Sequence, residues 1–390
     1  MKILLINDYG TLTGGAEVQV LALRDALRKR GHDARLFTSC ARSSTVFSYA
    51  DYECFGTTSR FRTLLQMANP WAYWQLYRVL TDFQPDVVHV MLFLTQLSPL
   101  ILPLLEGVPS LYYVVWYRPV CPLGTKMLPD TTICQVPAGV VCYCNHCLPL
   151  RDWLPLMIQM KLWWRWRKAF KLFVAISEAV KNRLTIEGIG PVEVVRPGVL
   201  VRSPSRTRAP QPTVVFVGRL VREKGVDVLI RAFTKVVAQM PEARLLIAGD
   251  GPELNSLNML INKMGVSSHV TMLGHLSHPE MECLFDGAWV QAVPSLWAEP
   301  FGLVAVEAMM RGTAVVASDS GGLTEIVRDG EAGFLVPPGN IEALAEALLL
   351  LLKDRGLAER MGEAGHEIAL AQFNETAYVD RFIHLYQTLR

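Results

Sequence analysis

The sequence predicts an α/β protein made of two doubly wound parallel-sheet domains. Three observations carry that expectation. Short apolar runs alternate with longer helical patterns in both halves of the chain. A length of 390 residues is enough for two domains of ordinary size. Between the two series lies a stretch, 196–212, rich in Pro, Ser and Arg and poor in apolar residues, which is a linker composition.

In the first half, residues 2–6 are the first strand. Residues 14–30 are a loop leading into a helix that closes on Arg28, Lys29, Arg30 and Gly31, charges and a cap suited to a helix C-terminus. Strands at 34–38, 87–90, 110–115 and 172–176 continue the sheet, giving a first domain over 1–195. In the second half the strands are 213–217, 244–248, 270–273, 289–293 and 314–317, giving a second domain over 213–373. Residues 374–390 have a helical pattern through Tyr378, Phe382 and Leu385. Ligands of such sheets bind beyond the carboxyl ends of the strands.

Composition excludes several classes. Hydrophobic residues make up 51% of the chain and charged residues 19%, which describes a globular protein. A net charge of +2 is too small to argue for nucleic acid. Met1 runs straight into a strand without the features of a secretory leader. The most apolar stretch, 87–105, is broken by His89, Thr95, Gln96, Ser98, Pro99 and Pro103, so it reads as a strand and the helix after it. The expected compartment is the cytoplasm, either free or at the inner face of the membrane.

The chemistry concentrates in the second half. Glu299-Pro300-Phe301-Gly302 follows a buried strand, and Glu307 lies on the helix over 303–310 that comes next. Side chains on a helix lean toward its N-terminus, so Glu307 can point back to the space that Glu299 borders. Backbone N–H groups around Phe301, Gly302 and Leu303 face that space, at the positive end of the helix dipole. Carboxylates accept from hydroxyls and amides donate to oxygens, which suits a polyhydroxylated ligand carrying phosphate. Alone, either glutamate reads as an ordinary helix-end or solvated acid; together they read as a site. Upstream, Gly218-Arg219 follows a strand and Lys224-Gly225 opens a helix to about Gln239. A guanidinium and an ammonium there can hold a diphosphate, and charge developing on a leaving diphosphate is stabilised by such fixed cations. Gly14-Gly15 sits at the first strand-to-helix turn, where glycine allows close approach of a ligand. Gly249-Asp250-Gly251 and Gly274-His275-Leu276 each follow a strand and are expected to frame a nucleobase, although Asp250 reads equally as a turn former. No Asp-x-Asp appears, so hard carboxylate ligands for a catalytic cation are missing.

These residues carry a family resemblance. The Glu299–Glu307 pair is similar to the paired-glutamate signature of retaining, GT-B-fold glycosyltransferases of family four (glycosyl transferases group 1). Gly14-Gly15-Ala16-Glu17, Val217-Gly218-Arg219-Leu220, Glu223-Lys224-Gly225, Ala248-Gly249-Asp250-Gly251-Pro252-Glu253 and Gly321-Gly322 stand in the family's order. The resemblance implies two Rossmann-like domains facing across a cleft, the first binding acceptor and the second a nucleotide diphosphate sugar, with the C-terminal helix packed back on the first. It implies hexose transfer to a saccharide or lipid-linked acceptor in surface polysaccharide or glycolipid synthesis, with no catalytic cofactor. Glu299 would contact sugar hydroxyls and Glu307 the ribose. Arg219 and Lys224 would stabilise the leaving diphosphate, and the Gly14-Gly15 loop would meet diphosphate or acceptor. Gly218, Asp250, Gly251, Phe301, Gly302 and Leu303 complete the expected substrate contacts.

Two departures stand out. Val114-Val115-Trp116-Tyr117 occupies the place where the family usually has a His-Asp pair, and Pro197-Gly198-Val199-Leu200 replaces a common Asn-Gly-Val-Asp. The first departure leaves a catalytically degenerate nucleotide-sugar-binding subunit as one alternative; a nucleotide-sugar epimerase is the other. His89 reads as a buried structural histidine. Cys121, Cys134, Cys142, Cys144 and Cys147 crowd an insertion at about 121–147. They read either as unliganded thiols or as a structural zinc or iron–sulfur site held by Cys121, Cys134, Cys144 and Cys147. Residues 161–171, from Lys161 to Lys171, fold on a helical wheel into a basic and an aromatic face with only Trp164 among the bases. They read either as a peripheral membrane contact or as a core-packed helix with a solvated basic side.

Overall fold

The computed structural model describes every residue except 13, 43–46, 60–61 and 206–207; the last two belong to the 196–212 stretch. The chain divides into two compact units. One comprises Met1–Asp130, Cys134–Pro197 and Thr376–Arg390; the other comprises Thr131–Ile133 and Gly198–Glu375.

In the first unit the order is β1 (Lys2–Tyr9), α1 (Gly15–Lys29), β2 (Asp33–Ser39), β3 (Tyr52–Cys54), α2 (Arg62–Met67), α3 (Pro70–Phe83) and β4 (Val87–Val90). A 3-10 segment, Pro99–Leu105, leads to β5 (Ser110–Val114), α4 (Val141–Cys144), α5 (Leu150–Trp166), β6 (Leu172–Ala175), α6 (Glu178–Ile186) and β7 (Val192–Val194). The seven strands form one parallel sheet in the order β3-β2-β1-β4-β5-β6-β7. The order reverses direction at β1, the switch point of a doubly wound sheet. Neighbouring residues of β5 face opposite ways. Tyr112 meets Trp163 of α5 and Phe170.

The second unit runs β8 (Thr213–Val217), α7 (Val226–Gln239), β9 (Arg244–Ala248), α8 (Leu254–Lys263), β10 (Val270–Gly274), α9 (His278–Gly287), β11 (Val290–Val293), α10 (Leu303–Met310), β12 (Ala314–Ser318), β13 (Gly333–Val336), α11 (Ile341–Lys353) and α12 (Arg355–Gln372). Its six strands are parallel in the order β10-β9-β8-β11-β12-β13, so the switch falls between β8 and β11. β8 and β11 are buried along their whole length, as central strands covered on both faces must be. The last helix, α13 (Glu375–Leu389), places nearly all its residues in the first unit. Its Tyr378 and Phe382 pack on Tyr113 of β5. Tyr386 approaches His89 Nδ1 at 2.6 Å. His89 is 1% exposed, and burial pushes its pKa down to about 3, so it is a neutral core imidazole.

Three edge strands, β3, β7 and β13, were not expected. Each is only three or four residues long, and so short a run takes its identity from the strand beside it. Residues 161–171 do not form one amphipathic helix. α5 stops at Trp166, a 3-10 turn covers Arg167–Ala169, and β6 begins at Leu172. Trp163 is fully buried among Phe93, Tyr112 and Phe170. The supposed aromatic face is therefore core on that side, and the wheel breaks where the helix ends.

The cysteines expected at a metal site, Cys121, Cys134, Cys144 and Cys147, all lie in the first unit, although Thr131–Ile133 between them belong to the second. All eight cysteines are free thiols, and Cys144 is exposed. Burial, followed by the neighbouring Cys142, Cys121 and Cys134, pushes the Cys147 thiol up. Among the described residues no three His, Cys, Asp or Glu side chains are gathered to hold a metal.

Candidate functional site

The loops after β8 and β11 lock together at the carboxyl end of the second sheet. After β8 come Gly218, Arg219 and Leu220, then a 3-10 turn, Arg222–Lys224, and Gly225 opening α7. Gly225 has φ +66°, and a Cβ there would fall 2.1 Å from the Pro294 carbonyl oxygen, so backbone angle and space both require glycine. Beside it Leu296 N donates to the Glu223 carbonyl at 2.8 Å. This seam carries Lys224 onto Glu299. The Lys224 Nζ donates to Glu299 Oε1 at 2.8 Å and Oε2 at 2.9 Å. Ser295 Oγ and Trp297 Nε1 each donate to Oε2 at 2.8 Å. Ser295 and Trp297 were missed in the sequence; they lie in the bent loop after β11, which curls their polar groups onto the Glu299 carboxylate.

Glu299 is only 6% exposed. Burial alone would raise its pKa, but the Lys224 charge, with hydrogen bonds from Lys224, Ser295 and Trp297, outweighs burial and holds it below the ordinary carboxylate value. The carboxylate is ionised and oriented before any ligand arrives. Its backbone is fixed from the other side, where Gly322 N donates to the Glu299 carbonyl at 2.7 Å. A Cβ on Gly321 would fall 2.3 Å from that same oxygen, and one on Gly322 would fall 2.6 Å from Phe301 Cα, so Gly321-Gly322 lies directly against the Glu299–Phe301 backbone.

Phe301 is 2% exposed and packs edge-on against Phe373. Its ring is an anchor, which leaves only its backbone for a ligand. Gly302 caps α10 and Leu303 begins it; N–H groups of a first helical turn have no carbonyl behind them. Glu307 lies further along α10. Burial first, then the negative charge of Glu282, pushes its pKa up to about 7. Glu282 in turn accepts from Arg202 Nε at 2.9 Å; neither neighbour was foreseen. The two glutamates thus differ in kind: one is held ionised, the other titrates near neutrality.

The remaining expected residues are dispersed around this centre. Arg219 is 64% exposed along its side chain and among the described residues pairs with Glu223, at 3.7 Å; it does not join the Lys224–Glu299 pair. Gly218 N donates to the Ala248 carbonyl and Leu220 N to the Asp250 carbonyl, while Gly249 N donates to the Gly274 carbonyl, so the turns after β8, β9 and β10 adjoin. The exposed Asp250 accepts from Gly251 N at 2.7 Å and acts as a turn former. In the first unit Gly14 caps α1 and Gly15 opens it. After β5, Arg118 is buried, donating to the Leu94 carbonyl, Gln66 and Gln159.

Comparison with known proteins matches two family models. Residues 201–368 match glycosyl transferases group 1 and residues 13–114 match glycosyltransferase family 4. The chain is 35% identical over 226 residues to a phosphatidyl-myo-inositol mannosyltransferase of Mycobacterium leprae, covering 55% of this chain and 59% of the relative. It is 36% identical over 179 residues to the lipopolysaccharide core biosynthesis glycosyltransferase LpsE of Rhizobium meliloti, covering 46% and 51%. The matched stretches thus span about half the length of these curated relatives. Among solved structures, sucrose-phosphate synthase from Thermosynechococcus elongatus superposes with a TM-score of 0.78 at 24% identity, covering 100% of this chain and 99% of that one. HepE from Anabaena, in complex with UDP and glucose, gives 0.70 at 21% identity, covering 100% of both chains. At such identities the likeness speaks for the fold.

Proposed function

Because the chain belongs to the family-four glycosyltransferases (glycosyl transferases group 1) and has the GT-B fold, we propose that it is a retaining, metal-independent hexosyltransferase. It moves a hexose from a nucleotide diphosphate sugar to a saccharide or lipid-linked acceptor in surface polysaccharide or glycolipid synthesis. The observation that carries this reading is the preformed Lys224–Glu299 pair between the loops after β8 and β11, beside the N-terminus of α10. An ammonium has three donors. Lys224 directs two at Glu299, and the third is available to a phosphate oxygen. The Oε2 of Glu299 already accepts from Lys224, Ser295 and Trp297, while Oε1 accepts from Lys224 among the described residues and would take a sugar hydroxyl. One ion pair can then hold sugar and leaving group together. As the sugar–phosphate bond breaks, charge builds on the diphosphate, where Lys224, Arg219 and the first-turn amides of α10 stabilise it. The acceptor oxygen attacks from the same face. HepE bound to UDP and glucose supports the donor class, and the two relatives support a lipid-linked or saccharide acceptor.

A panel of nucleotide sugars with and without acceptor tests the reading. Nucleotide release that depends on acceptor and persists in EDTA is the expected result. Binding without release would instead favour the degenerate subunit, to which Val115 and Trp116 in place of the family's His-Asp pair lend support. Free-sugar formation without acceptor would favour the nucleotide-sugar epimerase.

Glu307 gives a second test. Ribose hydroxyls donate to a carboxylate, so a nucleotide sugar binds the ionised form, and binding must strengthen as pH rises through about 7. The calorimetric Kd is expected to tighten about tenfold from pH 6 to pH 8, and Glu307→Gln should flatten that dependence. A flat wild-type profile would remove Glu307 from the ribose site.

A further inference from the structure

A cavity of about 400 Å³ opens on the first unit. The end of α5 lines it with Met160 and Trp164, the end of α6 with Ile186 and Glu187, and the cysteine-bearing insertion with Gln135 and Pro137. Its place follows from chain order. α5 stops at Trp166, shortly before β6 begins at Leu172, and α6 stops at Ile186, shortly before β7 begins at Val192. β6 and β7 are parallel neighbours, so both helix ends lie toward the amino ends of these strands. Ligands of a doubly wound sheet bind beyond the carboxyl ends. The cavity therefore lies away from the face where the first unit is expected to meet its substrate. The insertion reaches it because the chain turns back after β5, where Trp163 Nε1 of α5 donates to the Pro119 carbonyl at 2.9 Å.

One wall of the cavity is polar and held in place. The Glu187 side chain is 6% exposed, and its Oε1 meets Lys126 Nζ at 2.8 Å and Arg183 Nη2 at 2.7 Å. Two cations thus compensate one buried carboxylate. Its Oε2 accepts no hydrogen bond among the described residues. Arg183 Nη1 donates to Gln135 Oε1 at 3.0 Å, so the Gln135 amide nitrogen remains to donate. Arg183 Nε is buried and has no hydrogen-bond partner among the described residues. The remaining wall is apolar. It has the Met160 thioether, Ile186, and the indole of Trp164, which the Arg167 guanidinium covers at 4.2 Å from the ring centre. We propose that this cavity is a second saccharide-binding site, which holds glycan without taking part in the transfer. That the ligand is a glycan rests on the transferase reading; that it is a neutral polyol follows from the cavity. An apolar ligand would bury Glu187 Oε2 and the Gln135 amide without partners. An anion would meet the Glu187 carboxylate, and an amine would add to Lys126 and Arg183, already two cations against one carboxylate. A pyranose avoids both costs. Its C–H face packs on the indole, while its rim hydroxyls donate to Oε2 and accept from the amide.

The test is saturation-transfer NMR on the full chain with millimolar methyl α-mannoside and with millimolar maltotriose, no nucleotide being present. Transfer to the sugar ring protons is expected. Ile186→Trp places an indole at the cavity mouth and should abolish it. Gln135→Ala should weaken the titrated Kd about fivefold, the loss of one hydrogen bond. Ile186 is 74% exposed and Gln135 is exposed as well, so both variants should keep the wild-type circular dichroism and melting temperature. No transfer to either saccharide overturns the proposal. So does transfer that is undiminished in either variant, which would put the sugar elsewhere, the transfer centre included. Because no donor is present, failure here leaves acceptor-dependent nucleotide release, the test of the transferase reading, untouched.

Discussion

Lys224→Ala is expected to lower turnover by about two orders of magnitude or more and to destabilise the protein by about 3 kcal/mol. The kinetic loss follows from removing a cation fixed where charge develops on the leaving diphosphate. The stability loss follows from Glu299. Its carboxyl is 6% exposed and keeps Ser295 and Trp297 as partners, but without Lys224 it is a buried charge with no counter-ion. The pH dependence separates this account from a general loss of packing. In the wild type Glu299 is held below its ordinary pKa, so its contribution is present at neutral pH and is lost as pH falls. In the variant burial dominates and the carboxyl titrates above its unfolded value. Its contribution is then most favourable in acid and is lost as pH rises. The stability deficit of Lys224→Ala in urea unfolding should therefore be smaller at pH 5 than at pH 8. Equal deficits at the two pH values, or turnover within a few-fold of wild type, would remove the ion pair from the centre of the site.

Much of this site was legible because its parts are local. Glu299, the helix cap at Gly302 and Glu307 lie within one strand–loop–helix unit, where the order of the residues dictates which way they point. Glu223-Lys224-Gly225 was legible as a turn opening a helix. Its contact with Glu299 could not be derived from spacing, because the pairing depends on the Gly225–Pro294 approach between two loops that follow neighbouring strands of the sheet. Ser295 and Trp297 were passed over for a related reason: a serine and a tryptophan in an apolar loop carry no charge pattern, and only the position of the carboxylate shows what they serve. The helical wheel over 161–171 failed because periodicity does not mark where α5 stops, and Trp163 was claimed by the core beneath β5. The cysteines show a different limit of sequence reading. Sequence proximity suggested Cys144 with Cys147, whereas Cys144 at the end of the short helix α4 is exposed, and burial first, with Cys121 and Cys134 adding to it, pushes the Cys142 thiol up.

Arg219→Ala should lower turnover by about two orders of magnitude while leaving stability almost unchanged, and this contrast with Lys224 is its strongest test. The Arg219 side chain is 64% exposed, and its ion pair among the described residues, with Glu223 at 3.7 Å, is long. An exposed pair of that kind contributes about 0.5 kcal/mol or less. Nothing in the fold therefore depends on this guanidinium, and its extended, solvated position leaves it free to turn toward an arriving diphosphate. The electrostatic argument then predicts where the loss appears. If Arg219 meets the phosphates only as charge builds on them, kcat falls and KM holds; if it already clamps the ground-state diphosphate, KM rises as well. Arg219→Lys keeps the charge but loses the planar fork, so recovery of most of the rate would assign Arg219 a point-charge role, and little recovery a bidentate one. Both outcomes keep it in the site. A variant with wild-type kcat and KM for its donor would place Arg219 outside the chemistry, as one more solvated residue at the end of a strand.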